Sequence, residues 1–495
     1  MSARSASPRP SGSSESSDGD GSPRDAGRFD FVVVANRLPV DQVENPDGST
    51  EWRASPGGLV AALAPIMRSA DGVWIGWSGS PGEAPEPFDS DGMRLIGVAL
   101  STEEVRDYYE GFSNATLWPL YHDVIAAPEF HRSWWESYVA VNRRFADAAA
   151  DQAAPGATVW VHDYQLQLVP GLLRQARPDL RIGFFNHIPF PGYEIFAQLP
   201  WRRQVVEGLL GADLIGFQRR GDATNFLRAC RRAAGLSTRG SDVTTADGRT
   251  VRAAAFPISI DSTGFEEIAG RPEVAERARE IREAVGNPAH LLLGVDRLDY
   301  TKGILHRLKA FGELLDDGAV TPPETVLVLV ASPSRERVEQ YRTLRDEVEV
   351  TVGRINGDHG AVGQPPIHYL HQSYPKEEMA ALYLAADVML VTSLRDGMNL
   401  VAKEYVASRR DEDGTLVLSE FTGAADELTS AFQINPHDIE GLKQTILRAM
   451  STAPPERRRR MRAMRRRVGD HDVAYWARTF LSSLADASGR RPDQS

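Results

Sequence analysis

Ten short stretches of the chain are apolar at consecutive positions rather than at alternate ones. In order they are "FDFVVVA", "GVWIGW", "TVWVH", "RIGFFN", "DLIGF" and "RAAAFPI", then "HLLLGVD", "TVLVLVA", "DVMLVT" and "TLVLSE". A strand covered on one face alternates, whereas one buried on both faces is apolar throughout. These runs therefore predict strands of parallel sheets with helices on either side. Helix-length segments with apolar residues three and four apart separate most of them, which is the alternation of an α/β protein. The runs form two series around "ISIDSTGFEE", near residue 260. Two doubly wound domains are expected, at 28–260 and 261–470, with the cleft between them as the ligand site. No internal repeat is visible.

Composition narrows the class. A chain of 495 residues exceeds one typical core, in keeping with two domains. Its net charge of −12 argues against a general affinity for nucleic acid or anionic membrane. No apolar run approaches the roughly 18 residues of a membrane helix. The single cysteine, Cys230, cannot form an intramolecular disulfide, which fits a reducing cytoplasm. Residues 1–27 have no apolar core and are rich in Ser, Pro, Gly and charge. They are expected to be a disordered tail and not a secretory signal.

Ligands of open parallel sheets bind at the carboxyl ends of the strands. The loops there carry a recurrent chemistry. "VANRLPV" places Arg37 after the first strand, and "SPGGLVAAL" puts Gly57 and Gly58 at the head of a helix. A bare backbone there can approach a ligand, and free N–H groups can meet an anion. "VHDYQLQLVP" ends a strand with His162 and Asp163, and "FFNHIPFP" ends another with His187. "GVDRLDYTKG" supplies Arg297 and Lys302, and "VASPSRERV" supplies Ser334 and Arg335.

Each feature alone has a plainer reading, as a turn, a structural histidine or a surface ion pair. The run "RRRRMRAMRRR" at 457–467 reads as a solvated helix flanking the last domain, not as an RNA-binding arm. Several chemistries are disfavoured. There is no P-loop, "GWSGS" ends in serine where a nucleophile elbow needs glycine, and no paired Cys or HExxH motif marks a metal. What remains is a site rich in Arg, Lys and helix N-termini, suited to a doubly phosphorylated cargo.

The stretch "LRDGMNLVAKEYV" at 394–406 fits that cargo. Gly397 permits a tight turn, so the amides of Met398, Asn399, Leu400 and Val401 can face a ligand. Leu400 and Glu404 are four apart and share a helix face one turn above that cluster. Glu404 can accept from ribose hydroxyls, and Asp396 can hold sugar hydroxyls before the turn. The same spacing also describes a helix cap plus a surface charge.

The motifs "ANRLPV", "SPGGL", "YYEGFSNATLWPLYH", "HDYQL", "GFFNHIPFP", "DRLDYTKG", "SPSR", "GRINGDHG" and "LRDGMNLVAKEYV" occur in the order seen in trehalose-6-phosphate synthases. The chain resembles that family from about Phe29 to about Leu484. The resemblance implies the GT-B glycosyltransferase fold of two Rossmann-like domains facing a cleft. It also implies a last helix, about 471–487, that crosses back onto the first domain. The implied reaction moves glucose from a nucleoside-diphosphate glucose, UDP-glucose first and GDP- or ADP-glucose next, to glucose 6-phosphate. It proceeds with retention and with no cofactor or required metal.

By the same resemblance, Arg37 and Arg335 clamp the acceptor phosphate, and Tyr109, Trp118 and Asp163 line the acceptor sugar pocket. Gly57 and Gly58 approach the reacting ends. Arg297 and Lys302 bind the donor diphosphate, and His187 contacts the donor glucose. Asp396, Gly397, Met398 and Asn399 hold the transferred glucose. Leu400, Val401, Ala402, Lys403 and Glu404 hold diphosphate and ribose, and Tyr374 meets the base through its backbone. His187, Arg297, Lys302 and Asp396 are the residues expected to act in catalysis. Asn186 stands where the pattern has leucine. Two alternatives stay open: a same-scaffold relative acting on cyclitols or as an epimerase, and a non-catalytic sugar-nucleotide-binding regulator. The donor base and any homo-oligomeric assembly are not readable from the sequence.

Overall fold

The computed structural model describes residues 28–488, apart from 45–49, 55–59, 61–62, 64–65 and 68–71. Gly57, Gly58 and the 1–27 segment lie outside the described residues. Among the described residues, twelve strands precede residue 260: β1 (Phe29–Arg37), β2 (Val40–Glu44), β3 (Thr50–Ala54), β4 (Val73–Trp77), β5 (Phe88–Ser90), β6 (Met93–Gly97), β7 (Ala153–His162), β8 (Arg181–Phe185), β9 (Leu214–Phe217), β10 (Ser237–Arg239), β11 (Asp242–Thr244) and β12 (Thr250–Ala255). Six follow: β13 (His290–Arg297), β14 (Thr325–Ser332), β15 (Ile367–Leu370), β16 (Val388–Val391), β17 (Thr415–Ser419) and β18 (Phe432–Ile434).

The first ten-stranded sheet runs β10-β11-β12-β9-β8-β7-β1-β4-β6-β5. It is parallel from β12 to β6, with antiparallel strands at both edges. The second runs β15-β14-β13-β16-β17-β18 and is parallel throughout. That order is the doubly wound one, with its switch point between β13 and β16. All ten apolar runs are strands. Val32, Val33 and Val34 of β1 and Leu291, Leu292 and Leu293 of β13 are fully buried on both faces, as unbroken apolar runs require. The strands that had no such signal are short or polar. β10 (STR) and β11 (DVT) form an edge, and β15 carries His368 within its four residues.

One helix is unusual and bears on the site. Residues Val105–Leu117, the "VRDYYEGFSNATL" segment, form a wide helix, and at its end the Trp118 amide bonds back to the Ser113 carbonyl five residues earlier. Wide turns of this kind re-aim side chains and occur often at functional sites. Here the helix delivers Tyr109 and leads directly into Trp118.

The final helix, Val473–Ser488, packs on the first sheet, not the second. Phe480 stacks on Trp160 of β7 with ring centroids 4.5 Å apart, and a side chain at Gly183 of β8 would press on Phe480 and Leu484. Its first amide, Val473, donates to the Ile260 carbonyl at 3.0 Å, so the two segments that pass between the sheets lie side by side. The arginine-rich segment is the helix Pro454–Asp470. Part of its charge is paired within the fold: Arg457 pairs with Asp413, Arg462 with Glu412, Arg465 with Glu266 and Arg467 with Glu427. No helix among the described residues is long and apolar enough to cross a membrane.

Candidate functional site

Both sheets turn the carboxyl ends of their central strands toward one cavity of about 410 Å³. Its lining includes Arg37, Tyr109, Trp118, Asp163, His187, Arg297, Lys302, Arg335, Asp396 and Gly397. Eight of these were chosen from strand-end loops, and Tyr109 and Trp118 through the family resemblance; all ten converge on one space. Asn36, His122, His162, Tyr164 and Gln165 also line it.

The first sheet contributes a strained corner. Asp163 follows β7 with φ +76°, a left-handed backbone that is costly without glycine. Hydrogen bonds hold it there. Its amide donates to the Phe185 carbonyl at 2.8 Å, and the His187 amide donates to its carboxylate at 3.0 Å. Burial raises the Asp163 carboxyl to about 6, against the pull of the His187, Tyr164 and Ile188 amides and of Arg335. His187 meets His162 ring to ring, Nε2 to Nδ1, at 3.1 Å. Burial lowers the His187 imidazole to about 3, so it is neutral at physiological pH.

The second sheet supplies the cations. Arg335, with φ +49°, lies 3.8 Å from the Trp118 ring centroid, and its Nη2 donates to the Tyr164 hydroxyl at 3.1 Å. Those contacts cross between the two halves of the chain. Arg297 faces the same indole at 5.4 Å and remains half exposed. The Lys302 ammonium lies 2.6 Å from the Asp396 carboxylate, both nearly buried. Burial alone would raise the Asp396 carboxyl, but Lys302 and Asn399 outweigh it and hold it low. A convergent set of fixed cations facing stacked aromatics can bind phosphate and stabilise charge that develops on a departing phosphate.

The loop after β16 bends at Gly397 on its way into the next helix. Gly397 abuts the first half, and a Cβ there would collide with the His187 carbonyl oxygen. Asn399, at φ +77°, caps the helix Leu400–Ser408. Its side chain accepts from the Ala402 amide at 3.0 Å and donates to Asp396 at 3.1 Å. That cap engages the Ala402 amide, one residue beyond the expected cradle of Met398, Asn399, Leu400 and Val401. Lys403 faces away from the cavity: its ammonium donates to the Ile258 carbonyl at 2.8 Å and pairs with Glu427. Met398 is packed into the core. Glu404 accepts from the Tyr383 hydroxyl at 2.9 Å, and burial raises its carboxyl. Tyr374 and the 400–404 turn are not part of the cavity lining. The arrangement therefore brings the strand-end groups together and leaves Tyr374 and residues 400–404 outside that cavity.

Arg37 enters the cavity from the end of β1. Its guanidinium lies 5.2 Å from the Trp77 ring and pairs with Asp41 at 3.0 Å. Two residues that matter most to the cations had little or no signal in the sequence. Asp299 is a strand-end acid of "GVDRLDYTKG", and Tyr341 lies inside a helix with no local motif. Among the described residues, no group of three or more His, Cys, Asp or Glu is placed to hold a metal ion.

The family model for glycosyltransferase family 20 matches residues 29–486. Trehalose-6-phosphate synthase from Mycolicibacterium vanbaalenii is 59% identical over 474 residues, 93% of this chain and 96% of that protein. The chain belongs to glycosyltransferase family 20, the trehalose-6-phosphate synthases. Solved structures agree with that family. An α,α-trehalose-phosphate synthase (UDP-forming) from Burkholderia vietnamiensis superposes with a TM-score of 0.85 at 33% identity, covering 93% of this chain and 98% of that one. The Burkholderia xenovorans enzyme in complex with glucose-6-phosphate has a TM-score of 0.84 at 35% identity, covering 93% and 100%. The fold is thus GT-B, and this family 20 glycosyltransferase carries its cavity where the two sheets face each other.

Proposed function

We propose that the cavity transfers glucose from a nucleoside-diphosphate glucose to glucose 6-phosphate with retention, giving α,α-trehalose 6-phosphate. The observation that carries this reading is the convergence of Arg335, Arg297 and Lys302 on one cavity floored by Trp118. A diphosphate on one substrate and a monophosphate on the other need two cationic poles. Arg335 with Arg37 forms the pole for the acceptor phosphate. Arg297 and Lys302 form the pole for the diphosphate.

Retention by double displacement needs a free carboxylate nucleophile beneath the anomeric carbon. The two carboxylates in the cavity lining, Asp163 and Asp396, are committed to the His187 amide and to Lys302 and Asn399. This supports attack from the face of the leaving group. Arg297 and Lys302 draw the diphosphate away as the bond from C1 to phosphate oxygen breaks. The acceptor's 1-hydroxyl then bonds to C1 on that face, and its proton passes to the departing phosphate oxygen. Positioning and preorganised charge carry the rate, with no metal or other cofactor in the scheme. Asp396, still held by Asn399 when Lys302 turns to the diphosphate, accepts from sugar hydroxyls, and neutral His187 bonds to the same sugar. Tyr374 and the Leu400–Glu404 turn are assigned to base, ribose and diphosphate in the open region beside the cavity. Gly57 and Gly58 keep their assignment to the reacting ends.

UDP-glucose is the first donor to test, because similar enzymes are described as UDP-forming and one from E. coli as bound with UDP-2-fluoro glucose. The experiment incubates glucose 6-phosphate with UDP-, GDP- and ADP-glucose in turn and reads the product's anomeric couplings by NMR. An α,α-linked disaccharide phosphate is expected. A β linkage, or donor consumption that is independent of glucose 6-phosphate, overturns the proposal.

A further inference from the structure

Beneath the cations of the cavity lies one carboxylate with no exposure to solvent, Asp299. Its two oxygens face different parts of the site. Oδ1 accepts from the Thr301 amide at 3.0 Å and from the Thr301 hydroxyl at 2.9 Å. These bonds fix the turn Tyr300–Lys302 that presents the Lys302 ammonium, and the Asp299 carbonyl accepts from the Lys302 amide at 3.0 Å. The same turn is bound to the donor loop, since the Leu394 amide donates to the Thr301 carbonyl at 2.7 Å.

Oδ2 faces the other way. The Arg335 guanidinium reaches it at 3.4 Å, the Tyr341 hydroxyl donates to it at 3.2 Å, and Arg297 approaches to 4.0 Å. Tyr341 also accepts from Arg335, which closes a ring of three side chains. Burial alone would raise the Asp299 carboxyl, yet Arg335, Arg297 and Lys302 outweigh it and hold it at about 2. The group is therefore anionic throughout the neutral range. A buried anion without those partners would be costly, so it and its cations determine each other's positions.

We infer that Asp299 is a positioning residue that sets Arg335 and Lys302 in one frame, tying the acceptor-phosphate pole to the leaving-group pole through its two oxygens. The inference rests on the proposed reading of those two poles. It assigns Asp299 no contact with substrate. Oδ2 turns the Arg335 fork toward the acceptor phosphate, and Oδ1 holds the turn from which Lys302 reaches the diphosphate.

The test separates the two oxygens. Tyr341→Phe removes a partner of Oδ2, and Thr301→Val removes one of Oδ1. Asp299→Asn keeps an acceptor for Thr301 and replaces the charge facing the arginines with a donor. The kinetics of each folded variant are measured with UDP-glucose and glucose 6-phosphate. Tyr341→Phe should raise the KM for glucose 6-phosphate several-fold with kcat little changed. Thr301→Val should lower kcat with that KM little changed, and Asp299→Asn should do both, each by about ten-fold or more. A loss confined to thermal stability, with the kinetics of the folded enzyme within about two-fold of wild type, overturns the inference, as does the same KM and kcat pattern in Tyr341→Phe and Thr301→Val. If Asp299→Asn does not fold, the other two variants still decide it. A wild-type enzyme that uses glucose as well as glucose 6-phosphate refutes the acceptor-phosphate reading itself, independently of any variant.

Discussion

The Lys302 ammonium and the Asp396 carboxylate lie 2.6 Å apart, joining the loop after β13 to the loop after β16 across the switch point of the second sheet. In the proposed reaction the donor diphosphate takes over that ammonium. Lys302→Ala and Arg297→Ala should each lower kcat on the order of 10²- to 10³-fold, the scale of losing one preorganised donor to developing charge. Steady-state kinetics with saturating substrates checks this. Turnover within a few-fold of wild type in both variants would remove them from the leaving-group role.

In the proposed reaction Arg335 meets a phosphate that does not react, so its loss should act on binding. Arg335→Ala is expected to raise the KM for glucose 6-phosphate by at least about ten-fold, with a smaller effect on the KM for the donor. The opposite pattern, donor affinity lost and acceptor affinity kept, would mean that the two poles are interchanged.

Gly397 has no room for a side chain, since its Cβ would meet the His187 carbonyl oxygen. Gly397→Ala must push the donor loop away from the first half of the chain. Misplacement on that scale should lower kcat on the order of 10²-fold while the fold survives. Circular dichroism checks the fold and a rate assay the loss. An unchanged kcat would show that these two loops need not touch during the reaction.

Asp163 makes stability depend on pH in a defined direction. Burial lifts its carboxyl from the ordinary 3.8 to about 6. Between those values the native state holds a proton that the unfolded chain releases. The stability that this proton brings is complete below the unfolded value and is lost as pH rises through the folded one. Asp163→Asn cannot titrate. Its stability relative to wild type should therefore rise across that window, by roughly 3 kcal/mol at most, since each tenfold change in proton affinity is worth about 1.4 kcal/mol. Denaturant unfolding of both proteins at several pH values measures the difference. A flat difference would put this carboxyl in the ordinary range.

The contacts that cross the cleft connect the two halves. Arg335 bonds to Tyr164, Arg395 pairs with Asp123 at 3.1 Å, and Arg219 pairs with Asp426 at 2.7 Å. The passages between the halves run together at Ile260 and Val473. UDP and glucose 6-phosphate together should stabilise the protein beyond the sum of their separate effects, by roughly 1 to 3 kcal/mol. Calorimetry of the four ligand states measures this, and strict additivity would mean that the halves bind independently.

The sequence by itself determined the parallel sheets, because a strand buried on both faces must be apolar at every position, and the runs at Val32–Val34 and Leu291–Leu293 say so locally. It also placed the polar groups of the site, since a doubly wound sheet sends its strand-end loops to one edge. Arg37, Asp163, His187, Arg297, Arg335 and Asp396 were legible for that reason. Direction and partnership were not. Lys403 and Glu404 belong to the same motif as Asp396, yet Lys403 serves Ile258 and Glu427, and Glu404 serves Tyr383. A helix distributes consecutive residues around its axis, and only the packing of that axis decides which face meets the cavity. Asp299 and Tyr341 are 42 positions apart, and their joint hold on Arg335 exists only once the loop after β13 and the helix that carry them are packed together. Short polar strands such as β10 and β11 likewise owe their place to the edge they cover. Burial then decided the electrostatics: it raised Asp163 and neutralised His187. Charge in a protein depends on how much water and which partners surround a group, and a linear sequence specifies neither.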